Sequence, residues 1–102
     1  MTERDHLERV EVSVRGRVQG VGYRYYVLGL AAELGLPGWV ANEPDGTVRC
    51  VAEGLRPPLE RFAEAVAGGP PGARVTEVRV SWSAAEGSFS RFEVRSGWHR
   101  GD

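Results

Sequence analysis

Val10, Val12 and Val14 alternate with Glu11, Ser13 and Arg15, the period-two pattern of a strand with one buried face, and Val18 closes the run. Tyr23, Val27, Leu30, Ala31 and Leu34 then fall at helical spacing, with Gly35 and Pro37 as the stop. Residues 38–42 and 47–53 predict two strands joined at Glu43-Pro44-Asp45-Gly46, a tight hairpin turn in which Gly takes the positive backbone angle. After Pro57-Pro58, Leu59, Phe62 and Val66 share one helical face, and Gly68-Gly69-Pro70-Pro71-Gly72 ends that helix. Val78, Val80 and Trp82 mark a fourth strand. Val75 is out of phase with them, which predicts a bulge, and Phe92 and Val94 mark a short last strand.

Strand, helix, hairpin, helix and strand in that order predict an α+β fold: a ferredoxin-like βαββαβ sandwich, two helices on one face of an antiparallel sheet. With 102 residues, 41% of them hydrophobic, and a net charge of -1, the chain is expected to form one soluble domain over residues 1–102. Its core is expected at about 9–95, with 96–102 as a C-terminal tail. All 13 basic residues are Arg, and they are dispersed. Neither a nucleic-acid partner nor a membrane partner is therefore expected, since both call for clustered basic charge or a long apolar run. The absence of Lys excludes Schiff-base chemistry and the Gly-Lys-Ser/Thr ending of a nucleotide phosphate loop. With no charged-then-apolar leader and a single Cys50, the expected compartment is the cytoplasm, and the expected state a monomer.

The chemistry concentrates in Gly16-Arg17-Val18-Gln19-Gly20-Val21-Gly22-Tyr23-Arg24-Tyr25-Tyr26, where a strand runs through a glycine-bearing turn into a helix. Gly20 and Gly22 let the backbone curl with its N–H groups inward, the helix N-terminus adds partial positive charge, and Arg24 adds a planar cationic fork. Phosphate is the natural guest. The one Gln of the chain, Gln19, lies in this turn, and the one Asn, Asn42, lies in the second Gly/Pro-punctuated segment. Each alone has a plainer reading: two glycines as a tight turn, Arg24 as a solvated helix residue, Asn42 as a turn former before Pro44. Their conjunction is what points to a site. His6, His99 and Cys50 have no metal-ligand spacing, so no metal and no cofactor are expected.

Gly16-Arg17-Val18-Gln19-Gly20-Val21-Gly22-Tyr23-Arg24, followed by Gly38-Trp39-Val40-Ala41-Asn42 and Asp45-Gly46-Thr47-Val48, resembles the paired signature of the acylphosphatases, and the likeness runs from about Arg9 to Arg95. The resemblance implies hydrolysis of acyl phosphates to a carboxylate and inorganic phosphate, the latter also an inhibitor. It implies that Arg24 and Asn42 are catalytic, Arg24 on the phosphate and Asn42 on the attacking water, with the substrate itself taking the proton. Gln19, Gly20, Val21, Gly22 and Tyr23 are expected to bind substrate. The interval from Val18 to Arg24 matches the Cys-x5-Arg of other phosphatases with Val in place of the nucleophile, which favours direct attack by water over a phosphoenzyme.

Two departures from the family pattern stand out: Tyr23 where Phe is frequent, and Ala41 where a basic residue is frequent, the second expected to alter substrate preference. Two other classes stay in view. A noncatalytic module binding carbamoyl phosphate or a similar anion is disfavoured for a free-standing domain. An RNA-binding ferredoxin-like domain is disfavoured because residues 8–18 and 47–53, the central strands, carry no aromatic for base stacking. Cys50, Tyr26 and Trp82 are expected to pack in the core.

Overall fold

The computed structural model describes residues 6–95. Five strands and two helices follow one another as β1 (Glu8–Arg17), α1 (Tyr23–Leu34), β2 (Gly38–Asn42), β3 (Val48–Gly54), α2 (Arg56–Gly68), β4 (Arg74–Ala84) and β5 (Phe92–Arg95). The sheet order is β4-β1-β3-β2-β5. β1 and β2 therefore flank β3, β3 and β4 flank β1, and each helix crosses between two strands that are not neighbours. This is the expected ferredoxin-like arrangement.

The valine alternation does what its period requires. Val10, Val12 and Val14 are fully buried, beside Val48, Cys50 and Ala52 of β3, under Tyr23, Val27 and Ala31 of α1 and Leu59, Phe62 and Val66 of α2. Each buried valine contributes about 1.5–3 kcal/mol. The out-of-phase Val75 does mark a bulge: β1 and β4 stay in step down to Arg15 opposite Glu77, and then Gly16 faces Val75. Thr76 is left over, and its hydroxyl donates to the Arg15 carbonyl at 3.2 Å.

One expectation is corrected. The sheet is not antiparallel throughout, because β5 pairs parallel with β2, with Gly38 opposite Phe92 and Ala41 opposite Arg95. After β4 the chain turns across the sheet end to the opposite edge. Glu53 holds this crossing, accepting the N–H groups of Glu86 at 2.9 Å and Gly87 at 3.0 Å. Phe89 packs on Trp39, Ala41 and Val51, a small cluster on the face away from the helices. β4 is the other edge, and there Val78 and Val80 stay 37% and 44% exposed.

Candidate functional site

β1 ends at Arg17, and the chain passes through Val18–Gly22 before α1 begins at Tyr23. Gly20 and Gly22 adopt φ of 78° and 80°, the left-handed region where a Cβ costs roughly 1–2 kcal/mol. A Cβ at either would meet nothing within 4 Å, so the backbone angle alone demands glycine there. Gly22 is the N-cap of α1, and its carbonyl accepts the Tyr26 N–H at 3.0 Å. Gly22 has no side chain with which to cap this helix start, and the positive end of the helix dipole lies at the loop.

Asn42, the last residue of β2, is 5% exposed. In β2 the core residue Val40 and Asn42 share the helix side, while Trp39 and Ala41 belong to the opposite face. A pocket of about 220 Å³ results, lined by Val18, Gly20, Gly22, Tyr23, Arg24, Tyr25 and Asn42. Arg24 and Asn42, far apart in sequence, thus meet in one cavity. Ala41 does not face it, being buried against Trp39 and Val51 across the sheet.

Two residues expected to bind substrate direct their side chains elsewhere. Val21 packs on the main core. The Gln19 amide donates to the Glu43 and Thr47 carbonyls, both at 2.9 Å, so it pins the β2–β3 turn to the glycine loop. The turn closes on itself as well: the Glu43 N–H donates to the Thr47 carbonyl at 2.9 Å, and the Gly46 N–H to the Glu43 carbonyl at 3.0 Å. Asp45 accepts the Thr47 hydroxyl at 2.7 Å and its N–H at 3.0 Å. Those two bonds, the hydroxyl first, hold the Asp45 carboxyl below the usual carboxylate range. Asn42 is therefore held from both sides, by strand pairing with Val48 and by a turn tied to the loop opposite.

Tyr23 lines the pocket, yet its ring is 2% exposed and its hydroxyl donates to the Val66 carbonyl. Tyr26, edge-on to it with centroids 6.0 Å apart, donates to the Ala65 carbonyl at 2.8 Å. Carbonyls in the last turn of a helix run short of partners within it, and although the Ala65 carbonyl also accepts the Gly69 N–H at 3.2 Å, the two tyrosines together bind the end of α2 and moor the start of α1 against it. Burial, then the neighbouring Cys50 and Tyr26, pushes the Tyr23 hydroxyl from its ordinary 10.0 up to about 12. Burial also pushes the Cys50 thiol up, so it stays protonated in the core, away from the pocket. The added hydroxyl of Tyr23 is thus structural, a role its position in the motif does not reveal.

A planar cation, a helix N-terminus and a neutral carboxamide converge on a small cavity. That set can hold a tetrahedral anion and present a hydrogen-bonding group beside it without adding negative charge. Among the described residues no three His, Cys, Asp or Glu side chains gather to hold a metal. No helix among them is long and apolar enough to cross a membrane.

The acylphosphatase family model matches residues 10–94. An acylphosphatase of Salinibacter ruber is 49% identical over 88 residues, covering 86% of this chain and 93% of that protein. One of Syntrophotalea carbinolica is 47% identical over 87 residues, covering 85% and 95%. The solved structure of an acylphosphatase from Coxiella burnetii superimposes with a TM-score of 0.85 at 38% identity, over 93% of this chain and 100% of that one. The chain belongs to the acylphosphatase family, the hydrolases of carboxyl–phosphate anhydrides.

Proposed function

We propose that this chain hydrolyses acyl phosphates by in-line attack of water on phosphorus, with Arg24 and the loop N–H groups from Gln19 to Arg24 neutralising the phosphoryl oxygens and Asn42 orienting the water. The observation that carries the reading is the meeting of Arg24 and Asn42 in one pocket at the N-terminus of α1. The anhydride has a good leaving group, so the site must supply charge neutralisation and alignment rather than a strong acid. The Arg24 guanidinium matches two phosphoryl oxygens at once. The Asn42 carboxamide accepts a hydrogen bond from water without repelling the phosphate, as a carboxylate would. The water oxygen bonds to phosphorus, the bond from phosphorus to the bridging oxygen breaks, and the carboxylate departs with that electron pair. A phosphoryl oxygen takes the proton. Val18 lines the pocket where other phosphatases place a cysteine, in keeping with direct attack.

On this reading the partners are a small acyl phosphate and inorganic phosphate, the second as product and inhibitor, and no cofactor is needed. The protein works as a monomer in the cytoplasm without nucleic acid or membrane. Residues 1–102 act as one domain with its core at about 9–95. Hydrolysis of benzoyl phosphate in water enriched in heavy oxygen tests the chemistry. The label is expected in inorganic phosphate; label in the carboxylate means attack at the acyl carbon and overturns the role of the phosphate loop.

A further inference from the structure

The three tyrosines that open α1 divide sharply. Tyr23 and Tyr26 use their hydroxyls on α2 and pack with the main core. Tyr25, between them, is 66% exposed and still lines the pocket beside Arg24. A large aromatic ring left in water on the first turn of a helix contributes little to folding, since it removes little apolar surface from solvent. Its position is informative instead: it stands at the mouth of a cavity whose polar groups converge on a phosphoryl group. A bound acyl phosphate must direct its acyl part away from those groups, and among the described residues the one aromatic wall exposed there is Tyr25.

We propose that Tyr25 is the specificity-determining residue of this site, its ring receiving the acyl group, so that the preferred substrates are acyl phosphates with a planar aromatic acyl group. The inference rests on the hydrolytic reading above and names the substrate class for it. An aromatic acyl group stacks on the ring and an acetyl group has too little surface to do so, and such an aromatic pair is worth about three- to tenfold in a binding or rate constant.

The experiment compares kcat/KM for benzoyl phosphate and acetyl phosphate in the wild type, Tyr25→Phe and Tyr25→Ala. The benzoyl-to-acetyl ratio is expected to fall about fivefold in Tyr25→Ala and to be kept in Tyr25→Phe, which retains the ring without the hydroxyl. An unchanged ratio in Tyr25→Ala, whether both substrates slow together or neither does, overturns the assignment of Tyr25 and leaves the hydrolytic reading standing. A ratio that collapses equally in Tyr25→Phe also overturns it, since the hydroxyl and not the ring would then be the selective group. Turnover of neither substrate by the wild type overturns the hydrolytic reading and this inference with it.

Discussion

The two ends of the sheet both carry cavities, and the larger one is not the candidate site. Below the starts of β1 and β2 lies a space of about 420 Å³ walled mainly by Leu7, Leu34, Leu36, Pro37, Leu55 and Pro58, with Glu53 at its edge. The other end has about 220 Å³, but there Arg24, Asn42 and two left-handed glycines converge. At the distal end Glu53, the one buried carboxylate among the described residues, takes two backbone N–H groups and, at 3.3 Å, Arg9. At the site end the polar groups face a cavity. Volume measures where the chain packs loosely, whereas convergence of oriented polar groups marks where it can do chemistry.

The sharpest way to break this contrast is Arg24→Ala, expected to lower kcat/KM for an acyl phosphate by about 10³-fold or more and to weaken inhibition by inorganic phosphate. Arg24→Lys rescues poorly, because a point charge replaces a two-pronged fork. Normal phosphate release from Arg24→Ala would remove the site from this end of the sheet. Next comes Asn42→Ala, expected to lower kcat by about 10²-fold with little change in phosphate inhibition, the pattern of a group that positions water rather than binding the anion. Weakened phosphate inhibition with nearly normal kcat would make Asn42 a binding residue instead.

The distal end answers differently. Glu53→Gln keeps one acceptor oxygen but turns an N–H₂ group toward one of the Glu86 and Gly87 donors and weakens the Arg9 contact, a loss of about 2 kcal/mol in chemical denaturation, with kcat/KM unchanged within twofold. Activity that falls while the denaturation midpoint holds would mean the two ends are coupled. The smallest effect belongs to Tyr23→Phe, which leaves the Val66 carbonyl short of its donor at a cost of about 1 kcal/mol. Its signature is in the pH dependence. With the folded hydroxyl raised from 10.0 to about 12, the native chain holds a proton that the unfolded chain has lost between those values, so stability is full below 10.0 and falls toward 12. Cys50, also raised by burial, adds a fall that starts near its ordinary 9.0. Thermal midpoints measured from pH 8 to 12 should show a shallower decline above pH 10 in Tyr23→Phe, and identical slopes would refute the buried-hydroxyl account.

The strands of the core were legible because Val10, Val12 and Val14 have only one physical use for a period of two. Val78 and Val80 carry the same pattern but lie on an edge strand where they remain exposed, since alternation records a face and not whether a helix covers it. The parallel pairing of β5 was not legible, because it depends on a crossing held by backbone N–H groups on Glu53 and by Phe89, none of which leaves a periodic trace. At the candidate site, the gathering of the glycine loop, Arg24 and Asn42 around one pocket was readable from motif and sparing use. The work of Gln19 was hidden, because its partners are main-chain carbonyls that any residue types could offer. Ala41 sits beside Asn42 in sequence but across the sheet from the pocket, where strand geometry rather than adjacency decides its neighbours.

The Gln19 clamp also makes the pocket a product of nearby stretches of chain. Its two bonds reach carbonyls 24 and 28 residues further along the chain, a closure that costs little more entropy than a loop half as long, about 0.6 kcal/mol per doubling. Every element the pocket needs, β1, α1, β2 and the start of β3, lies within the first half of the chain. The edge strands β4 and β5 add pairings to β1 and β2 across longer sequence separations, whose closure costs more chain entropy. The lining of the pocket is thus set by comparatively short closures, while the second half supplies the α2 carbonyls that moor Tyr23 and Tyr26 beside it.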